Sequence, residues 1–321
     1  MFKNLHELIA KMPDETTCRA YLAAQRWNDG IVVCPYCSYR GAYVIENGKR
    51  YKCKSAACYK KFSVTVGTIF EASNIPLNKW FMALYIISGH KKGISSYQLA
   101  KDIGTSQKSA WFMLHRMREA LKENSPELLS GIVESDETYM ARKFASDFVG
   151  LSPEEVDYKL NNPIKNKGAV LGLAQRGGNI RVFAFDESKG DNIKPTIKAN
   201  VKPGTRLMTD EAFVYRRGLD EYKHEAVFHS KREWVRLDVH TNTVENFWSV
   251  MRRGIYGIYH QISFKHLQAY CNEYSYRYNT RKLKDAERFI LTLGKIEGRL
   301  TYKNLVNNGK ANKQNNAAQT A

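Results

Sequence analysis

Apolar residues recur at helical spacing through residues 1–28 and again over residues 76–122, where the pattern breaks at Gly89 to Gly93, at Gly104 and at Asn124-Ser125-Pro126. From residue 131 the texture changes to short β-rich runs. IVESDETYM comes first, then KGAVLGLAQRGGNIRVFAFDES with Gly177-Gly178 as a hairpin turn, then TRLMTD and EAVFHS. Helical patterns lie between and after these runs, which predicts a mixed α/β sheet domain ending near residue 285. The stretch from Ala141 to Lys167 interrupts the strands and reads as an insertion or mobile loop. The closing KANKQNNAAQTA has almost nothing to bury and is expected to be disordered.

Composition narrows the class. The 321 residues are 43% hydrophobic, enough for about two or three packed domains, and no apolar run approaches the ~18 residues of a membrane span. The N-terminal stretch lacks the unbroken apolar segment and small-residue cleavage site of a signal peptide, so a cytoplasmic protein is expected, with no membrane partner. Fifty Lys and Arg against 32 Asp and Glu leave a net charge of +18, which points to a polyanionic partner.

Four of the six cysteines crowd into one short segment. Cys34-Pro35-Tyr36-Cys37, then fifteen residues, then Cys53 and Cys58 make two knuckles able to close a tetrahedral structural zinc site. Between them AYVIENGKRYKC reads as two strands turned at Asn47-Gly48, as a ribbon requires. With four thiolates the zinc would have no open position for chemistry. Lys49, Arg50, Lys52, Lys54, Lys60 and Lys61 give the segment a basic surface suited to phosphates.

Residues 95–118 place two short helices either side of Gly104, the pattern of a helix-turn-helix, with Leu99, Ile103, Ala110, Met113, Leu114 and Met117 as a shared core. The second helix would then offer Gln107 and Lys108 to base edges, with Arg116 within reach of phosphates. Any helical hairpin with a glycine corner shares this pattern.

Three carboxylates stand out in so basic a chain: Asp136 within IVESDETY, Asp210 ending RLMTD and Glu245 in NTVENFWSVMRRGI. Strand ends and a neighbouring helix can bring such acids together, and three of them could bind two divalent ions about 3.5–4 Å apart for in-line phosphoryl transfer. Oxygen donors suit Mg²⁺ or Mn²⁺. Each acid also fits a simpler role. Glu134 and Glu137 compete with Asp136, Asp210 fits a helix N-cap, and Asn242 to Glu245 resembles a capping box.

The order CPYC, a second cysteine pair, KKFSVTVGTIFE, GISSYQLAKDIGTSQKSAWFMLHRMREAL, ESDETY, MTDE and HTNTVENFWSVMRRGI resembles bacterial insertion-sequence transposases of the DDE class that carry an N-terminal zinc ribbon. The likeness runs from about Tyr21 to Arg281. It implies an RNase H-like catalytic domain with Asp136, Asp210 and Glu245 as metal ligands, thirty-four residues separating the last two, and His240 and Asn242 in support. It further implies binding of double-stranded DNA at element ends and target, a homo-oligomer on DNA, and a nucleoid-associated location. Two departures are visible: the second cysteine pair is spaced by four residues rather than two, and Met140-Ala141-Arg142-Lys143 follows DETY where a glycine-rich continuation is expected.

Beyond the acids, Trp248, Ser249 and Arg252 share a face of the helix that carries Glu245, and could hold DNA. AYCNEYSYRYNTRK interleaves Tyr270, Tyr274, Tyr276 and Tyr278 with Arg277 and Arg281, suited either to backbone contact and stacking or to packing on the sheet. The expected architecture is a lead-in (1–29), a zinc ribbon (30–72), a helix-turn-helix region (73–125), an α/β RNase H-like catalytic domain (131–285) and a C-terminal extension (286–321). The rivals are a two-metal nuclease without strand transfer and a zinc-ribbon DNA-binding regulator.

Overall fold

The computed structural model describes residues 2–123, 126–144, 147–148, 150–162, 164–186 and 190–307. The predicted disordered tail lies outside them. In chain order the helices and strands are α1 (Leu5–Lys11), α2 (Glu15–Arg26), β1 (Ala42–Ile45), β2 (Arg50–Cys53), β3 (Lys61–Phe62), α3 (Leu77–Gly89), α4 (Ser96–Ile103) and α5 (Gln107–Ala120). They continue with β4 (Ile132–Arg142), α6 (Pro153–Asn161), β5 (Lys167–Gln175), β6 (Ile180–Phe185), α7 (Gly190–Asn200), β7 (Arg206–Thr209) and β8 (Lys223–Ala226). The last are α8 (Asn242–Gly254), α9 (Leu267–Asn279), α10 (Asp285–Leu293) and α11 (Tyr302–Asn307). The described residues form two compact units, one within residues 2–121 and 282–305, the other within residues 122–281.

In the first unit α3 is apolar almost all round, and Leu77, Trp80, Phe81, Ala83, Leu84 and Ile87 are buried. Helices α1, α2, α4 and α10 pack around it. Residues 286–305, part of the expected extension, thus return to this core: Phe289 is fully buried and Arg288 donates from Nη1 to the Ser88 carbonyl at 2.6 Å. Caps fix the helix starts, with Asp14, Ser95 and Ser106 accepting from the backbone N–H three residues on.

The ribbon is a three-stranded antiparallel sheet in the order β1-β2-β3. Its hairpin differs from the expected two-residue Asn47-Gly48 turn. Ile45 pairs with Arg50, so four residues form the loop, and Glu46, Asn47 and Gly48 all have positive φ.

The second unit is built on a five-stranded sheet in the order β6-β5-β4-β7-β8. The β6–β5 and β5–β4 pairs are antiparallel, while β4–β7 and β7–β8 are parallel. The hairpin between β5 and β6 forms at the predicted glycines, with Gln175 N–H donating to the Asn179 carbonyl at 2.9 Å. Strand β5 is the most enclosed, buried from Gly168 to Ala174, because one layer holds α8 and α9 and the other holds α7. Alternation along β4 sorts its side chains: Glu134, Asp136 and Thr138 meet α8, whereas Val133 and Ser135 meet the opposite layer.

Two expectations change. Ala141 to Lys167 contains helix α6, started by a capping box at Ser152 and Glu155; residues 145, 146, 149 and 163 of it lie outside the described set. The last strand comprises Lys223 to Ala226, not EAVFHS, because its partner β7 ends at Thr209, opposite Ala226. No described helix is long and apolar enough to cross a membrane.

Candidate zinc site and acidic centre

Cys34, Cys37, Cys53 and Cys58 come together with all four Sγ atoms within 4.8 Å of one another. The Cys34–Cys58 and Cys37–Cys53 Sγ separations are 3.9 and 3.6 Å. Tetrahedral Zn–S bonds of ~2.3 Å require sulfurs about 3.8 Å apart, so these four fit a structural zinc. The Ser55 N–H points at the Cys53 Sγ from 3.3 Å, as a thiolate ligand favours. The four-residue spacing of the second pair therefore does not open the site. Around it, Lys60, Lys52 and Lys54 lie 4.9–5.1 Å from the ring centroids of the exposed Tyr36, Tyr59 and Tyr43. The sequence showed this segment as rich in tyrosine and lysine, but not that each of these lysines lies against a ring.

Helices α4 and α5 meet across Gly104, whose φ of +60° and ψ of +59° is the left-handed corner a β-carbon disfavours. All six predicted core residues of the pair are buried. Gln107 is half-buried and donates to Ser96 Oγ at 2.8 Å, while Lys108 is exposed. Arg116 corrects the expectation of a phosphate contact. It is 4% exposed, and its guanidinium donates to the carbonyls of Ile69 and Leu300 at 2.8 and 3.1 Å, so it ties the first unit together.

The second unit gathers the acids. Asp136 leaves the middle of β4 directly opposite Gly172 of β5. A β-carbon at Gly172 would stand 2.6 Å from the Trp248 ring and 2.8 Å from Val244, so glycine is what lets α8 lie against the sheet here. Trp248 then donates from Nε1 to Asp136 Oδ2 at 2.9 Å. Asp210 follows β7 and accepts the Ala212 N–H at 3.0 Å, an Asx turn rather than the cap of an α-helix. Glu245 lies in the first turns of α8 and is exposed apart from a 2.6 Å hydrogen bond from Thr241 Oγ1.

The electrostatics record the convergence. Burial pushes the Asp136 carboxyl up to about 7, the negative field of Asp210 adds to this, the Trp248 hydrogen bond opposes it, and Glu245 adds a further upward push. Glu137, on the opposite face of β4, is pushed up to about 8, first by burial and then by Asp136 and Asp210, against a hydrogen bond from Tyr215. Its Oε1 is a buried oxygen with no hydrogen-bond partner among the described residues. Carboxylates that resist ionising together fit a divalent cation, whose charge reverses that penalty. The three do not share one tight cluster, since among the described residues the four cysteines are the one group of three or more such side chains whose donor atoms all lie within 4.8 Å of one another. Two ions about 3.5–4 Å apart, each ~2 Å from its ligands, need that wider spread.

Glu134, seen in the sequence only as a rival of Asp136, has a different place. It is fully buried and accepts the N–H groups of Thr243 and Val244 at 2.7 and 3.1 Å, so it caps α8 from another strand. Arg176 donates to it at 2.6 Å and to His240 Nδ1 at 2.9 Å. The Asn242 N–H also points at Nδ1, from 3.3 Å, and Glu134 Oε1 lies 3.3 Å from the same nitrogen. His240 is thereby held beside the start of α8, and Asn242 is the helix's exposed first residue. The capping box expected of Asn242 and Glu245 does not form: Thr241 is the N-cap, one residue earlier, and the carboxylate that caps is Glu134.

Arg252 is exposed and donates to Thr138 Oγ1; Arg281 is exposed and donates to the Tyr278 carbonyl at 2.8 Å. Arg277 is a second correction. It is 8% exposed and paired with the fully buried Glu273 at 2.6 Å, while Tyr270 and Tyr274 are buried in the core against the sheet and Tyr276 is also buried, so none of the three is available for stacking.

A thiolate-ready ribbon joined in sequence to an α/β unit with converging acids matches known proteins in the same order. Residues 13–61 match the transposase zinc-ribbon domain, and residues 128–279 match the ISXO2-like transposase domain. The chain is 32% identical over 256 residues to an uncharacterized protein in transposable element ISH50 of Halobacterium salinarum, an alignment covering 72% of this chain and 80% of that protein. The chain belongs to the ISXO2-like transposase family of insertion-sequence proteins. That relative is archaeal, so the resemblance is not confined to bacteria. No solved structure matches the chain.

Proposed function

We propose that the protein binds the ends of its own insertion sequence and catalyses metal-dependent DNA cleavage and strand transfer through Asp136, Asp210 and Glu245. The observation that carries this is the raised Asp136 carboxyl, held up by burial and by the fields of the other two acids. The strand order, with three antiparallel strands followed by two parallel ones, supports an RNase H-like catalytic unit.

When bound, two Mg²⁺ or Mn²⁺ ions would supply the activated oxygen nucleophile and stabilise the leaving oxygen. Asp136 and Asp210, on neighbouring parallel strands, and Glu245, on α8, would hold them. Trp248 keeps one Asp136 oxygen fixed, and Thr241 orients Glu245 by its hydroxyl. In the first unit the α4–α5 pair acts as a helix-turn-helix, with Gln107 and Lys108 towards base edges, and the ribbon lysines contact phosphates. Arg252 and Arg281 are the exposed cations of the second unit for the same double-stranded DNA. Joining two element ends calls for a homo-oligomer on the DNA, in the cytoplasm.

The test incubates the protein with Mg²⁺ or Mn²⁺ and a plasmid carrying the gene's flanking DNA, and maps 3′ ends. Cleavage at the element boundaries and joined products, both lost in Asp210→Asn and Glu245→Gln, are expected. Specific binding without cleavage under either metal would replace this with a DNA-binding regulator.

A further inference from the structure

Two loops leave the C-terminal ends of the parallel strands β7 and β8, where ligands of α/β sheets gather. They are clasped to each other: Glu211 Oε1 accepts the Ser230 N–H at 2.9 Å and Oε2 accepts the Ser230 hydroxyl at 2.7 Å. Glu211 adjoins Asp210, so the clasp holds the second loop beside the acidic centre. Each loop exposes a large aromatic ring. Phe213, three residues beyond Asp210, is 80% exposed, and Trp234 is 60% exposed.

Neither ring lies loose. The Arg216 guanidinium carbon sits 5.5 Å from the Phe213 centroid, and the His229 ring backs Trp234 at 4.6 Å, which leaves the far faces free. The surrounding cations are Arg216, Arg217, Lys231 and Arg232, all exposed. An interface with another protein copy of net charge +18 would set these cations against more cations. Flat aromatic faces interleaved with guanidinium and ammonium groups complement unpaired nucleobases on a phosphate chain. Duplex DNA hides its base faces in the stack, so the rings would have nothing to cover on an intact helix.

We infer that the two clasped loops form a stacking platform, with Phe213 and Trp234 holding unpaired bases of the DNA next to Asp210. The inference rests on the strand-transfer reading and specifies its substrate: DNA opened locally at the reacting phosphate.

The test measures binding of the full-length Asp210→Asn protein in EDTA to oligothymidylate of about 15 nucleotides and to a duplex of equal length, by fluorescence anisotropy. Adding Trp234→Ala or Phe213→Ala should weaken oligothymidylate binding about tenfold, since stacking is worth ~1–3 kcal/mol per base, and leave duplex binding within about twofold. Trp234→Phe should keep most of the affinity. Equal losses on both probes, or no loss on oligothymidylate, would overturn the platform. So would a shift of oligomeric state by light scattering with DNA binding unchanged, which would make the patch an interface between copies. Cleavage plays no part in the readout, so failure of strand transfer would appear only in the plasmid assay.

Discussion

Trp248 donates its indole N–H to Asp136 across 2.9 Å, and it reaches that position because the residue facing Asp136 on β5 is Gly172. One helix is thereby fixed to the strand that carries the first acid, and the same helix carries Glu245.

Gly172→Ala should therefore act at a distance. Its new β-carbon would meet the Trp248 ring at 2.6 Å and push α8 outward, at a cost of about 1–3 kcal/mol in overpacking. Thermal melts should show the loss of stability, and the strand-cleavage rate should fall further than the stability change explains. Trp248→Phe keeps the shape but removes the donor. It should fold, and cut about tenfold more slowly if one hydrogen bond to a charged group, ~1.5–3 kcal/mol, is lost.

Stability without metal should fall as pH rises from about 5 to 8. The folded-state carboxyls of Asp136 and Glu137 sit at about 7 and 8, above the ordinary range, so over this window the folded state binds more protons than the unfolded one. Ionisation on raising the pH then costs folding free energy. Melting temperatures in EDTA should decline across the window, Asp136→Asn should flatten the decline, and Mg²⁺ should restore stability at the high end. A rise in stability with pH would contradict the buried, mutually repelling arrangement.

Removing Glu134 should be severe. Its carboxylate is fully buried among Arg176, the Thr243 hydroxyl and two N–H groups of α8, so Glu134→Ala would strand a cation and the helix terminus at a cost of roughly 3–5 kcal/mol. Glu134→Gln retains acceptors for the helix and should lose less. Urea unfolding monitored by circular dichroism ranks the two.

The two arginines near the end of the sheet domain should behave oppositely. Arg277→Ala breaks a buried pair with Glu273 and should lower stability by about 3–5 kcal/mol. Arg281→Ala removes an exposed cation, should change stability by less than about 0.5 kcal/mol, and should weaken DNA binding with a shallower salt dependence.

Zinc analysis of the purified protein should give one ion per chain, and Cys53→Ser should abolish it. Because the four sulfurs tie the segment before β1 to the end of β2 and the turn after it, the variant should also melt at a lower temperature and lose duplex binding.

The elements came from the sequence wherever local physics sufficed. Short β-rich runs and the Gly177-Gly178 turn gave β4, β5 and β6, helical spacing with Ser95, Gly104 and Ser106 gave α4 and α5, and the cysteine spacing gave the ribbon. The sequence also singled out Asp136, Asp210 and Glu245, which the second unit draws into one electrostatic neighbourhood. What it could not assign was partnership between residues far apart. Glu134 looked like a spare acid because the helix it caps begins more than a hundred residues later. Arg116 and Arg277 looked like DNA ligands because charge is visible in a sequence while burial is not. Residues 286–305 looked like an extension because their core partner, α3, lies about two hundred residues upstream. Periodicity and capping act over a few residues and are written locally. Cross-strand caps, buried ion pairs and the convergence of carboxylates are decided only when the sheet brings distant segments together.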